Sequence, residues 1–306
     1  MDYVLRTFGL SKKYKKQLAV NHADMTISRG DIYGFVGENG SGKTTIIRLI
    51  TGLIFPYSGS FELFGVDNRS KRIDAVRRKV GAVVENPSIY LNMSAYDNLK
   101  MQCVLLGIPA DERIAKTLEE VGLSALLNER KHADNYSLGM RQRLGIAMAL
   151  ISEPEFLILD EPMNGLDPAG IVEVRELILK LNREKNITFL ISSHVLSELS
   201  LVATKYGIIS KGHIIKEITA EQLQEEMSKT TDITVDDPEE LYKLIESFGD
   251  EKKFSRIPNG IRFVGEVNFN EVLSAIIDRG IRINAVNCRE SSFEDYYLEM
   301  IGGKQA

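Results

Sequence analysis

The segment Gly37-Glu-Asn-Gly-Ser-Gly42-Lys43-Thr44 has the residue types and spacing of a polyphosphate cradle. Its three glycines, Gly37, Gly40 and Gly42, let the backbone take positive φ and wrap closely, so that successive amides and a following helix start face anionic oxygens. Lys43 would then hold the β- and γ-phosphates of a nucleotide, and the Thr44 hydroxyl would ligate Mg²⁺. A second candidate is Phe156-Leu-Ile-Leu159-Asp160-Glu161, an apolar run ending in two acids. Asp160 can ligate Mg²⁺ or orient its water shell, while Glu161 can polarise the water that attacks the γ-phosphate. A third is Tyr136-Ser137-Leu-Gly139-Met, where a hydroxyl and a glycine amide open a helix and make another anion site. One chain has no use for two γ-phosphate sites, whereas a second copy of the chain does.

These residues need elements to hold them. Short, nearly continuous apolar runs predict buried strands at 32–36, 80–84, 156–159, 187–191 and 206–209. The phosphate loop leads into a helical pattern at 45–50, and Ile171, Val174, Leu177, Ile178 and Leu181 line one helix face between two strands. The alternation predicts an α/β fold with a parallel sheet. Between 93 and 151 the strand signal gives way to helical patterns at 95–106, 113–121 and 139–151, a helical subdomain of about 88–150.

The bulk properties bound the rest. The chain has 306 residues, 43% of them hydrophobic and 26% charged, which excludes a disordered or low-complexity protein. Its net charge of −5 argues against a nucleic-acid partner, because phosphate-backbone affinity needs a basic surface. No run approaches the roughly 20 apolar residues of a membrane span, and the N-terminus lacks a signal-peptide pattern. Cys103 and Cys288 have neither metal nor redox spacing, so the expectation is a reduced, cytoplasmic protein. Residues 220–306 carry 10 Lys/Arg against 18 Asp/Glu, predicting a first domain at 1–219 and a small acidic one at 220–306, joined by a short helix over 217–227. The second domain reads strand, helix, strand, strand, helix, strand, helix with a hairpin at Pro258-Asn-Gly260, a small α+β ferredoxin-like order. That fold licenses no function by itself.

Over about residues 3–219 the chain resembles the ATP-binding cassette (ABC) ATPases. Gly37 to Thr45, including Asn39, Ser41 and Thr45, is similar to the family's Walker A; Phe156 to Glu161 to its Walker B; and Asn164-Gly-Leu-Asp167 to its D-loop. Tyr-Ser-Leu-Gly-Met at 136–140 resembles its signature, and Ser193-His194 its switch histidine. The resemblance implies a P-loop NTPase core, ATP and Mg²⁺ as ligands, His194 on the γ-phosphate and Tyr14 stacked on adenine. It also implies an ATP-dependent homodimer, with each ATP between the loop of one copy and Ser137 and Gly139 of the other. The remaining histidines, His22, His132 and His213, have no such context.

Two departures stand out. Where most members have Gln after the third strand, this chain has Glu85, a charged oxygen ligand near Mg²⁺ that also adds negative charge beside the γ-phosphate. Met140 follows Gly139 where the common signature has Gln, while Ser137 and Gly139 are kept. With the short acidic C-terminal domain, these features resemble the ATP-binding subunits of bacitracin and lantibiotic transporters, which confer self-protection or resistance in bacteria. The implied function is ATP hydrolysis for an exporter whose integral membrane permease is a separate chain, on the inner face of the cell membrane. The alternative is a soluble ABC ATPase acting on ribosomes or nucleic acid; the lack of a basic tail disfavours it. A regulatory module without turnover is disfavoured by the intact Asp160, Glu161 and His194.

Overall fold

A computed structural model describes residues 3–227, 229–246, 254–264, 269–290 and 292–302. The chain divides into two compact units, Met1–Ala220 and Glu221–Ala306.

The first unit is built on two sheets. The inner one has six strands in the order His213–Thr219, Lys205–Ser210, Ile32–Val36, Thr188–Ser193, Phe156–Asp160 and Val80–Val83. All neighbours run parallel except the first pair, an antiparallel hairpin. Every residue of Ile32–Val36 and of Phe156–Asp160 is buried, the pattern of strands covered on both faces. Helices Lys43–Thr51 and Pro168–Lys185 connect sheet strands, as the apolar periodicity required. The α/β core with a parallel sheet is the expected one.

The second sheet is antiparallel and has no counterpart in the sequence reading. Tyr3–Tyr14 lies at its centre, flanked by Gln17–Ala23, Thr26–Ser28 and Ser58–Leu63, with Val66–Asp67 beyond. Register shifts along Tyr3–Tyr14 break the simple alternation that would have marked it as a strand. Val4, Leu5, Leu10, Val20 and Met25 of this sheet share a core with Phe35, Ile46, Ile50 and Phe156, so the antiparallel sheet packs on the phosphate-loop helix.

From 84 to 155 there is no strand. Helices Ala95–Leu106, Asp111–Glu120 and Leu138–Leu150 form a layer beside Val80–Val83. A cavity of about 770 Å³ opens there, lined by Val83, Pro87, Tyr90, Leu105, Leu106 and Gly145 among others. Val104 and Leu105 are both 69% exposed, at the end of the helix that borders it.

One expectation is corrected. Residues 217–219 are not helical: they end the strand His213–Thr219, and the helix is Ala220–Glu226. The strand wins because Ile218 is buried against the sheet and the Glu217 carboxylate accepts a 2.8 Å bond from Tyr33 Oη. Tyr33 lies fully buried beside that carboxylate, which together with desolvation pushes its phenol well above the usual range.

The second unit is a four-stranded antiparallel sheet in the order Phe254–Ile257, Gly260–Val264, Lys229–Val235, Ile283–Glu290. Helices Pro238–Glu246, Phe269–Asp278 and Phe293–Gly302 complete the ferredoxin-like order. Ile233, Leu241, Ile261, Phe263 and Ile276 form its own core. The sequence pattern predicts a helix over 238–248, a strand over 253–256 and a helix from 291; residues 247, 248, 253 and 291 of these lie outside the described residues.

Candidate functional site

The phosphate loop leaves Val36 and turns into the helix Lys43–Thr51 through Gly42, whose φ of 115° is open to glycine alone. Gly37 is required for a different reason: a Cβ there would lie 2.4 Å from the Ile209 carbonyl oxygen. Glu38, Asn39 and Gly40 are exposed at the tip, Ser41 and Lys43 are buried, and Thr44 and Thr45 are half-buried on the first helical turn. The Ser41 hydroxyl is buried without a hydrogen-bond partner, an acceptor and donor held ready at the loop's centre.

Lys43 is 5% exposed. Its ammonium donates to the carbonyls of Gly37 at 2.6 Å and Glu38 at 3.3 Å and pairs with Glu161 Oε1 at 3.4 Å. The other oxygen of Glu161, Oε2, lies 2.8 Å from His194 Nδ1. Residues of the loop, the acid pair and the switch position therefore converge on one carboxylate, although they span positions 43 to 194. The parallel sheet does this: Asp160 stands opposite Ser192 in the ladder, and both strands end on the edge where the loop leaves Val36.

Asp160 is 1% exposed. Its Oδ1 accepts a 2.5 Å bond from Ser192 Oγ, while Oδ2 is buried with no partner. Glu161 has a φ of 52°, a left-handed conformation that a non-glycine residue holds only when its surroundings over-determine it. Its amide donates to Ser192 O at 3.2 Å and Ser192 Oγ at 3.0 Å. The sequence offered no reason to single out Ser192, because its importance comes from sheet register; the available signal was a hydroxyl ending an apolar run two residues before His194.

Other predicted residues lie apart from this cluster. Ser137 is exposed and caps the helix Leu138–Leu150, accepting from the Met140 amide at 3.2 Å. Gly139 is buried, with space for a Cβ no nearer than 3.9 Å from Gly170 Cα. Among the described residues, no hydrogen bond or ion pair joins Ser137 or Gly139 to Lys43, Glu161 or His194. Asp167 caps Pro168–Lys185 by accepting from the Gly170 amide. Tyr14 is 42% exposed at the end of its strand, with the Lys12 ammonium 5.4 Å from its ring centroid. Glu85 also has a positive φ, 61°, and its carboxylate is held by Arg48 at 2.6 Å.

The backbone amides of the loop, a buried ammonium, a carboxylate contacted by a cation and a histidine, and an uncommitted buried carboxylate oxygen suit binding and hydrolysis of a nucleoside triphosphate. The cap at Ser137 stands at the start of Leu138–Leu150, apart from the cluster around Glu161.

Comparison with known proteins agrees. The profile of the ABC transporter family matches residues 20–164. The chain is 39% identical to a bacitracin transport ATP-binding protein of Enterococcus faecalis, covering 99% of this chain and 98% of that protein. It is 40% identical to the one of Bacillus licheniformis, covering 99% of each. Among solved structures, cbiO1 of Clostridium perfringens, part of the ABC transporter complex cbiONQ, matches with a TM-score of 0.67 at 29% identity, over 74% of this chain and 92% of that one. Full-length likeness at this level, together with motifs in the family's order, places the chain in the ABC transporter family, as one of its ATP-binding, ATP-hydrolysing subunits.

Proposed function

We propose that this ATPase powers a bacterial exporter of an antimicrobial peptide or similar compound, giving resistance or immunity. The observation that carries the catalytic part is the sharing of the Glu161 carboxylate between Lys43 and His194 beside the buried Asp160. The phosphate loop, Gly37 to Thr45, binds the β- and γ-phosphates, and Lys43 exchanges its loop carbonyls for phosphate oxygens. Glu161 orients and deprotonates the attacking water, and His194 holds the γ-phosphate and the Glu161 carboxylate in one geometry. Tyr14 carries the adenine.

The residues present fit Mg²⁺: Asp160 Oδ2 is an unpartnered buried oxygen, and the Thr44 hydroxyl stands on the first turn of the loop helix. No group of three or more His, Cys, Asp or Glu among the described residues could hold a metal by itself, so the remaining ligands come from phosphate oxygens and water. Bound Mg²⁺ supplies charge neutralisation of the β- and γ-phosphates. Glu85 is a further oxygen donor within this reading, released from Arg48 when it reaches the ion.

Two copies close head to tail on two ATP molecules, Ser137 and Gly139 of each completing the other's site. Hydrolysis removes the γ-phosphate contacts and lets the pair open. No helix among the described residues is long and apolar enough to cross a membrane, and in this reading the membrane path is supplied by a permease on a separate chain. In this reading the cavity beside Val80–Val83, with Val104 and Leu105 exposed at its margin, receives an apolar segment of that partner, and this subunit works on the inner face of the membrane. The likeness to bacitracin transport ATP-binding proteins supports the substrate class.

The test is a gentle detergent purification of tagged Glu161→Gln from its native cells with ATP. Turnover is expected to fall about 100-fold or more, the usual contribution of a general base, while ATP binding persists. A stoichiometric multi-span membrane protein should accompany a dimer of the chain. Undiminished turnover removes Glu161 as base, and ribosomes or nucleic acid in place of the membrane protein overturn the exporter reading.

A further inference from the structure

We propose that Ser192 is the positioning residue for both acids of the site, setting through one hydroxyl which oxygen of Asp160 is free and where the Glu161 side chain leaves the sheet. The inference rests on the roles given above to Asp160 and Glu161 and adds the group that makes them possible.

A serine hydroxyl has one proton and two lone pairs. The Glu161 amide is a donor, so Ser192 Oγ can only accept from it, at 3.0 Å. The single hydroxyl proton is therefore committed to Asp160 Oδ1, at 2.5 Å. The direction of both bonds is fixed by this count. With Oδ1 occupied, Oδ2 is the buried carboxylate oxygen without a partner. A buried acceptor left open is costly, so a cation or its water shell is strongly favoured there.

The same hydroxyl acts on Glu161. At φ 52° this residue needs outside support, and its amide is received by two acceptors of one residue, Ser192 O and Ser192 Oγ. Ser192 is fully buried, so water cannot substitute for either bond. Because Asp160 and Ser192 are ladder partners, the contact is rigidly registered by the sheet. Removing the hydroxyl leaves the ladder and the Ser192 carbonyl in place but frees the Asp160 carboxylate to turn and loosens the departure of Glu161.

The experiment uses the full chain as Ser192→Ala and Ser192→Thr. Four quantities are measured: melting temperature in EDTA, affinity for a fluorescent ADP analogue in EDTA, Mn²⁺ affinity with ADP by electron paramagnetic resonance, and kcat. Loss of a group that orients a metal ligand typically costs about 10- to 100-fold in metal affinity or activity. Ser192→Ala is expected to weaken Mn²⁺ about tenfold and lower kcat by about 10- to 100-fold, with metal-free nucleotide affinity within about twofold. Ser192→Thr, which keeps the hydroxyl, should restore Mn²⁺ affinity and kcat to within about threefold. Parent-like Mn²⁺ affinity and kcat in Ser192→Ala overturn the proposal. So does a loss that includes metal-free nucleotide binding and is not rescued by Thr, the signature of a merely structural serine. If Ser192→Ala melts below the assay temperature, Ser192→Cys, a weaker donor of similar shape, is held to the same criteria. Asp160→Asn separates the two readings: unchanged Mn²⁺ affinity there would mean that Asp160 has no part in holding the cation, whatever Ser192 does.

Discussion

Glu161 and Glu85 both hold left-handed backbone conformations; Glu161 meets Lys43 of the phosphate loop, and Glu85 meets Arg48 in the last turn of the helix that follows it. Glu161 is fixed by Ser192, Lys43 and His194, whereas Glu85 reaches solvent, its side chain 56% exposed and its Arg48 partner 38% exposed. An exposed pair of this kind contributes less than about 1 kcal/mol. Glu85→Gln is therefore expected to move the melting temperature by no more than about 4 °C, the shift that corresponds to that energy in a unit of this size. The Mg²⁺ dependence of hydrolysis in the same variant decides its second role. A weakened apparent Mg²⁺ constant keeps Glu85 among the oxygen donors; an unchanged one leaves its carboxylate to Arg48. At this scale the sequence disclosed the residues whose neighbours are adjacent in the chain: the glycine loop, Asp160 beside Glu161, the Ser137 cap. It was silent on Ser192, because a hydroxyl becomes important only when sheet register sets it against Asp160.

Among the elements, the hairpin of Lys205–Ser210 and His213–Thr219 bears on the site without touching a ligand. Its two-residue turn has φ values of 48° at Lys211 and 82° at Gly212, which suits the right-handed twist of the flanking strands. The Gly212 amide donates to Ser41 O at 2.9 Å, and the Gly212 carbonyl accepts from the Asn21 amide at 2.8 Å. The turn thus ties the phosphate loop to the antiparallel sheet, and His213 next to it meets the Asn21 side chain at 3.2 Å. A Cβ on Gly212 would lie 2.9 Å from the Ala19 carbonyl oxygen, in addition to the strained φ. Gly212→Ala is expected to cost about 1–3 kcal/mol of stability and to weaken ATP binding about tenfold, measured by melting and by nucleotide titration. Lys211→Gly, which relieves a positive φ, serves as the control and should not weaken ATP. Unaltered affinity in Gly212→Ala would free the loop from this turn. Only the strand at 206–209 was predicted from sequence; Lys211-Gly212 between two isoleucine-rich runs was the unused signal for the hairpin. Helix Ala95–Leu106 matches its predicted span, because a capping serine at 94 and Gly107 mark both ends locally. The strand Tyr3–Tyr14 was missed because its register shifts spoil the two-residue period.

For the whole molecule, each unit has a separate apolar core, one around Phe35, Ile46 and Phe156 and the other around Ile233, Leu241 and Ile261. The residues proposed for catalysis, Glu161 and His194, both belong to the first. A chain ending at Ala220 is expected to stay folded and to hydrolyse ATP within about threefold of the full protein, since Lys43, Asp160, Glu161 and His194 all lie in Met1–Ala220, which has a core of its own. Loss of folding or turnover on truncation, followed by circular dichroism and phosphate release, would make the second unit part of the ATPase itself.

By itself, the sequence determined the kind of chemistry, the α/β class and the change of character near residue 220. Each of these is written in contiguous stretches: a glycine loop, apolar runs, a shift in charge. Only the tertiary structure decided that Lys43, Glu161 and His194 share one carboxylate and that Asp160 keeps one oxygen open. Strand order and register bring together residues far apart in the chain, and these follow from packing several strands into one sheet at once, which no local pattern encodes.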